Sequence, residues 1–358
     1  MIHPFVLAFF ERLFMNDPVS KQIRKISTDS SLLILIFLAV TQAGRIGLFY
    51  LTRGSDYDSL LRNDSFFTML CYLLVYPLLM PLLFLIYNKR AGKKNGIRLK
   101  NTFCKPQRSF GWCFKWLVID IGLAGIVNVA GTYIRLFIIS TFHLVDYSAV
   151  TDQSGLWKNT LYLIVMFVAM AIFAPFFEEC LFRGIIFRNN EKVGQLFAII
   201  VTGIAFGLWH TNSYQVFYAS VSGFCLCLVF LKTRSIIPVM LIHFINNTLS
   251  YLQQVLSGVI SPALNSSDPE YMVHYIFTKQ PVAGSAFLLI RLFLIGCMIA
   301  SVVLVIIGIV KYCKNRSLKS GEFNISKGKK VLYYFSSPVT IITLLAFIYF
   351  TFIRYQSF

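Results

Sequence analysis

The sequence predicts an all-α, polytopic bundle of membrane-spanning helices, and three observations predict it. Of its 358 residues, 57% are hydrophobic and only 13% charged, with a mean hydropathy of +0.69, whereas soluble domains carry about 25% charged residues. The apolar residues fall in long runs parted by short polar stretches, and crossing a hydrocarbon core of about 30 Å takes roughly 20 of them in helical form. The Lys and Arg residues crowd into alternate connections between those runs. The 35 Phe and 18 Tyr exclude a disordered chain. A net charge of +18 would suit a nucleic-acid binder. Its placement in short loops beside apolar runs is instead that of cations facing anionic headgroups, so the expected partner is the lipid bilayer and no nucleic acid.

Residues 1–15 are mostly apolar and read as an interfacial helix. They lack the basic leader and small-residue cleavage site of a removable signal peptide. About nine spans follow, near 31–52, 66–87, 111–134, 159–177, 195–210, 214–231, 236–254, 284–310 and 331–353. The fifth and sixth are short and divided only by Thr211, Asn212 and Ser213. Counted on alternate sides, Lys and Arg favour the N-terminal side by roughly four to one, which places the N-terminus in the cytoplasm and the C-terminus outside. The chain divides into an N-terminal flank (1–110: interfacial helix, two spans, basic loop), a core (111–255) and a C-terminal flank (256–358: outer loop, two spans). The basic loop from Asn88 to Lys115 reads first as a topology signal in contact with headgroups, and second as a dock for an acidic partner. None of the eight Cys forms a Cys-x-x-Cys pair, and no disulfide is expected. The lack of an internal repeat disfavours a transporter.

Ionisable side chains inside a span cost about 2.5–3.5 kcal/mol each on insertion scales, so those present need a reason. Pro175 to Arg183 sets adjacent carboxylates in an apolar helix. Glu179 and Arg183 stand four apart in the order favoured for a helical ion pair. Glu178 is turned about 100° away and left without that partner. The next span ends in Phe206 to His210, with Gly203 and Gly207 spaced for close helix approach. A later span carries His243 and Asn247 on one face, with Asn246 directed elsewhere. Counting residues from the turn near Lys192 puts Glu178 and His210 within roughly 6 Å of one depth. The expectation is one shared wet cavity, opening towards the cytoplasmic half.

Three motifs in this order, Glu-Glu-x-x-x-Arg, Phe-x-x-x-His and His-x-x-x-Asn, resemble those of the CPBP intramembrane proteases, also called the Abi or CAAX-protease family. The resemblance covers about residues 111–255 and none of either flank. It implies an intramembrane endopeptidase of a bacterial-type plasma membrane, acting on a peptide or protein end at the membrane, in peptide maturation, bacteriocin processing or self-immunity. It also implies Glu178, His210, His243 and Asn247 as catalytic groups, with Glu179, Arg183 and Phe206 in support. Glu178 and His210 would activate water, and His243 with Asn247 would bind the carbonyl oxygen or hold that water. The family has been assigned both a metal-free glutamate mechanism and a divalent metal such as zinc, for which Glu178, His210 and His243 would be the ligands. No His-Glu-x-x-His is present, which favours the metal-free form. The alternative from another class is a silent immunity or scaffold protein that binds through the same core.

Overall fold

The computed structural model describes residues 17–52, 70–142, 159–315 and 318–353, and the proposed interfacial helix at 1–15 lies outside them. Among the described residues the chain is helical throughout, with no strand. The long elements are α1 (Pro18–Thr52), α2 (Leu73–Asn95), α3 (Phe110–Phe142), α4 (Thr160–Asn190), α5 (Gln195–Trp209), α6 (Gln215–Thr233), α7 (Ile237–Val259), α8 (Pro281–Asn315), α9 (Lys327–Phe335) and α10 (Pro338–Ile348). The all-α membrane bundle is as expected, with helix in each of the nine apolar segments as far as they are described. Among the described residues six helices are long and apolar enough to cross a membrane, and a seventh crossing results if the bent pair α9–α10 counts as one. Two expected spans fall outside that count for different reasons. Helix α5 has only 15 residues, and α7 carries a polar stripe that lowers its hydropathy.

Two boundaries depart from the sequence reading. Helix α1 begins at Pro18, well before the expected residue 31, because its polar first half is buried against protein. Ser31 and Thr340 share a hydrogen bond of 2.9 Å, Thr28 and Ser337 one of 2.8 Å, and Ser27 is also bonded to Thr340. Asn189 donates to the Ile26 carbonyl at 2.8 Å. The last expected span, 331–353, is broken instead of straight. Ser337 caps α10 with Pro338 in its first turn, and the two halves meet at 78°. Pro belongs in a first turn and cannot continue the preceding helix.

The glycine spacing on α5 has the expected outcome. A Cβ on Gly203 would collide with Phe224, and one on Gly207 with Ser220. Helices α5 and α6 therefore meet backbone to backbone. Helix α4 is interrupted twice by π-helical turns, Val168–Phe173 and Phe182–Phe187, on either side of Ala174–Leu181. Pro175 has no N–H to offer the preceding turn, which accounts for the first. Both adjacent carboxylates sit on the α-helical piece between them.

Candidate active site

Glu178 and Glu179 are both buried, 1% and 0% exposed, and their neighbours differ. Glu178 Oε1 accepts hydrogen bonds from the Tyr76 hydroxyl at 2.8 Å and the Trp209 indole N–H at 3.2 Å. The same indole N–H also donates to the Tyr76 oxygen at 3.0 Å, and Phe37 of α1 stacks on the Trp209 ring at 4.0 Å. Three helices besides α4 thus fix this carboxylate. Its other oxygen, Oε2, lies 3.9 Å from His243 Nε2.

Glu179 makes the ion pair read from the sequence, with Arg183 Nη1 donating to its Oε1 at 2.8 Å. Arg183 is wholly buried, donates from Nη2 to the Gly223 carbonyl at 3.0 Å and lies over the Phe206 ring at 4.4 Å. Glu179 also takes His243. Nδ1 of that imidazole lies 2.8 Å from the same oxygen, and a carboxylate can only accept, so the proton is on Nδ1. His210 Nδ1 donates to the Phe206 carbonyl at 3.0 Å, which leaves its Nε2 lone pair uncommitted by that bond. The Phe206 ring packs edge-on between the two imidazoles, 5.4 Å from His210 and 5.5 Å from His243.

His210, His243, Asn247 and Phe206 line one cavity of about 630 Å³, together with Tyr76 and Trp209. Of the four residues expected to share it, His210, His243 and Asn247 line it and Glu178 is not in its lining, and the cavity runs away from the basic connections. Its walls continue through Asn128, Thr211, Asn212, Gln253 and Gln254, at the helix ends opposite the basic connections around Lys192 and Arg234. Counting residues from the turn near Lys192 pointed to the opposite opening. The reason is the stripe on α7, where His243, Asn247, Ser250 and Gln254 climb one face away from the Arg234 end.

Asn247 also departs from expectation. Its Nδ2 donates to the Met170 carbonyl at 2.8 Å, inside the first π turn of α4, so one amide N–H is already committed to structure. Asn246 turns aside, as expected, and donates to Asp120, a fully buried carboxylate of α3. Asp120, Tyr76 and Trp209 were not singled out from the sequence. A carboxylate in the apolar run 111–134 was a signal available for the first. The aromatics carried none, being two among 18 Tyr and 4 Trp.

The donor set does not gather as a metal site. No group of three His, Cys, Asp or Glu able to hold a metal occurs among the described residues. The conditional ligand set Glu178, His210 and His243 does not form such a group. Glu178 Oε1 is taken by Tyr76 and Trp209, and His243 Nδ1 by Glu179.

Comparison with known proteins places the likeness on this same region. A family model described as type II CAAX prenyl endopeptidase Rce1-like matches residues 160–249. The UPF0177 protein YaiH of Lactococcus lactis is 32% identical over 129 residues, 33% of this chain and 52% of that protein. The "putative membrane peptidase YdiL" of Bacillus subtilis is 26% identical over 143 residues, 38% of this chain and 59% of that protein. The chain thus spans between half and three fifths of the curated relatives it matches. No solved structure matches it. The matched segment holds all three motifs and all seven residues named from them, and it is there that the chain is similar to the Rce1-like type II CAAX prenyl endopeptidases.

Proposed function

We propose that the chain is an intramembrane peptidase in which Glu178 is the general base and acid for peptide hydrolysis. The observation that carries this is the pairing of Glu178 Oε2 with His243 Nε2 at 3.9 Å. That is too long for a direct hydrogen bond and suits two groups sharing one water molecule between them. The bonds from Tyr76 and Trp209 hold Oε1, so Oε2 is the oxygen that faces the reaction.

In this mechanism Glu178 Oε2 takes a proton from the substrate water, and the resulting hydroxide attacks the scissile carbonyl carbon. The carbonyl π electrons move onto oxygen. His243 in its imidazolium form donates to that oxyanion from Nε2, with Glu179 holding Nδ1 and stabilising the positive ring. As the tetrahedral intermediate collapses, the C–N bond breaks, and Glu178 returns its proton to the leaving amine. His210, whose Nδ1 is bonded to the Phe206 carbonyl, orients water through Nε2. Asn247 fixes α7 to the π turn of α4 and presents its remaining amide N–H to the cavity.

The substrate class we propose is a peptide or protein end delivered within a bacterial plasma membrane, a reading supported by relatives from two bacteria and by a cavity lined with side-chain amides. Maturation of a secreted peptide, or bacteriocin processing and self-immunity, are the roles this would serve. The experiment is a comparison of membrane peptides in cells expressing the wild type or Glu178→Gln, which keeps shape and hydrogen bonds but cannot carry the proton. A peptide cleaved only by the wild type is expected. Normal cleavage by a well-expressed Glu178→Gln protein would refute the proposal and favour the silent binding role.

A further inference from the structure

A second hollow of about 610 Å³ lies away from this site, at the basic end of α2. One wall is apolar, formed by exposed Pro81 and Leu85 and half-buried Phe84 of α2, with buried Ile185 of α4. Its mouth carries Lys93, Arg98 and Lys100, all exposed, and no Asp or Glu lines it. From Pro81 to Lys93 the helix climbs roughly 18 Å. The hollow therefore changes from hydrocarbon to cation along one direction, over about half the thickness of a bilayer.

The cations are held there by folded backbone. After α2 the chain turns at Gly96, whose φ of +69° lies in the left-handed region that favours glycine. Ile97 N–H then returns to the Gly92 carbonyl at 2.9 Å. Arg188 Nη1 donates to the Arg98 carbonyl at 3.0 Å. Farther on, Ile236 N–H bonds the Thr102 carbonyl and Gln107 N–H the Thr233 carbonyl, both at 2.9 Å. A loop serving only as a topology signal has no need of such fastening. Leu99 packs against Gly184, in the π turn that also carries Arg183 and Ile185.

We propose that this groove binds one anionic phospholipid, its phosphate held by Lys93, Arg98 and Lys100 and an acyl chain laid along Pro81, Phe84, Leu85 and Ile185. Charge selects the headgroup, and the apolar trench beneath it selects a ligand with a tail over a soluble phosphate. The bound lipid braces the π turn that positions Arg183 against Glu179. The proposal is independent of peptidase activity.

The test is native mass spectrometry of the full-length protein in neutral detergent, titrated with dioleoylphosphatidylglycerol or dioleoylphosphatidylcholine. One phosphatidylglycerol should be retained at concentrations where phosphatidylcholine is not. Lys93→Gln, Arg98→Gln and Lys100→Gln should each weaken it roughly fivefold, and together on the order of a hundredfold. Leu85→Trp fills the trench with every cation in place and should also release the lipid. Retention unchanged by both kinds of variant would overturn the proposal, as would many weakly held copies of either lipid. Displacement by glycerol 3-phosphate as readily as by lipid would mark a soluble-anion site and overturn it too. If the triple variant does not fold, judged by circular dichroism, Arg98→Gln and Leu85→Trp alone decide the outcome.

Discussion

Adjacent residues on a helix point about 100° apart, and that rotation gives Glu178 and Glu179 different partners. Glu179 is bound on one oxygen by Arg183 and His243, whereas Glu178 keeps one oxygen directed at an imidazole. Breaking a buried ion pair leaves an uncompensated charge and costs about 3–5 kcal/mol. Arg183→Met should therefore lower the melting temperature sharply in detergent, and Arg183→Lys should recover only part, since it cannot reach Glu179 and the Gly223 carbonyl as a fork. Tyr76→Phe removes one of two donors to Glu178 Oε1 and leaves the fold intact. We expect cleavage of a substrate found with Glu178→Gln to slow by about tenfold, as for loss of a hydrogen bond to a charged group, with little change in melting temperature. The groups on motif residues were legible in the sequence because polar atoms in hydrocarbon are costly and hence conspicuous. Tyr76 was not, because a tyrosine in an apolar run looks the same whether it packs or bonds a carboxylate.

At the scale of elements, hydropathy located the helices and missed their internal breaks. The start of α1 was hidden because hydroxyls such as Ser27 and Ser31, bonded to Thr340 of α10, count as polar in any window, although they are buried. The π turns of α4 were invisible, yet Pro175 was in plain sight as a missing N–H. Pro175→Ala restores that donor, and we expect it to tighten the first π turn, pulling Met170 from Asn247 and rotating Glu178. Activity should fall while stability changes little, a split readable from cleavage and thermal melts on one preparation. The Gly203 and Gly207 spacing was legible, and Gly207→Leu should push α5 from α6. Its overlap with Ser220 lies against helix backbone, so a loss of more than the 1–3 kcal/mol usual for overpacking is expected in thermal melts.

Across the whole molecule, the basic connections are joined by specific contacts as well as by charge. Arg234 closes α6 in a left-handed conformation, φ +55°, and forks onto Glu191 at 2.7 and 2.8 Å. Burial alone would raise the Glu191 carboxyl, but the Arg234 hydrogen bonds and charge outweigh it and hold the group below the usual carboxylate range. The folded state thus gains from this pair above the unfolded value of about 4.3 and loses it as pH falls through the lower folded value. The pair is partly exposed, so the gain is about 1 kcal/mol or less. Wild type should out-melt Glu191→Gln at pH 7, and the gap should close as the pH is lowered below 4. Helix α5 has a larger consequence. Fifteen residues rise roughly 22 Å against a hydrocarbon thickness of about 30 Å. The strand of chain at Thr211, Asn212 and Ser213 therefore reverses beneath the far lipid surface, making a dimple in the bilayer with His210 at its floor. The hydrolysis proposed above needs its second reactant brought into the oil, and the shortness of one helix would provide the inlet.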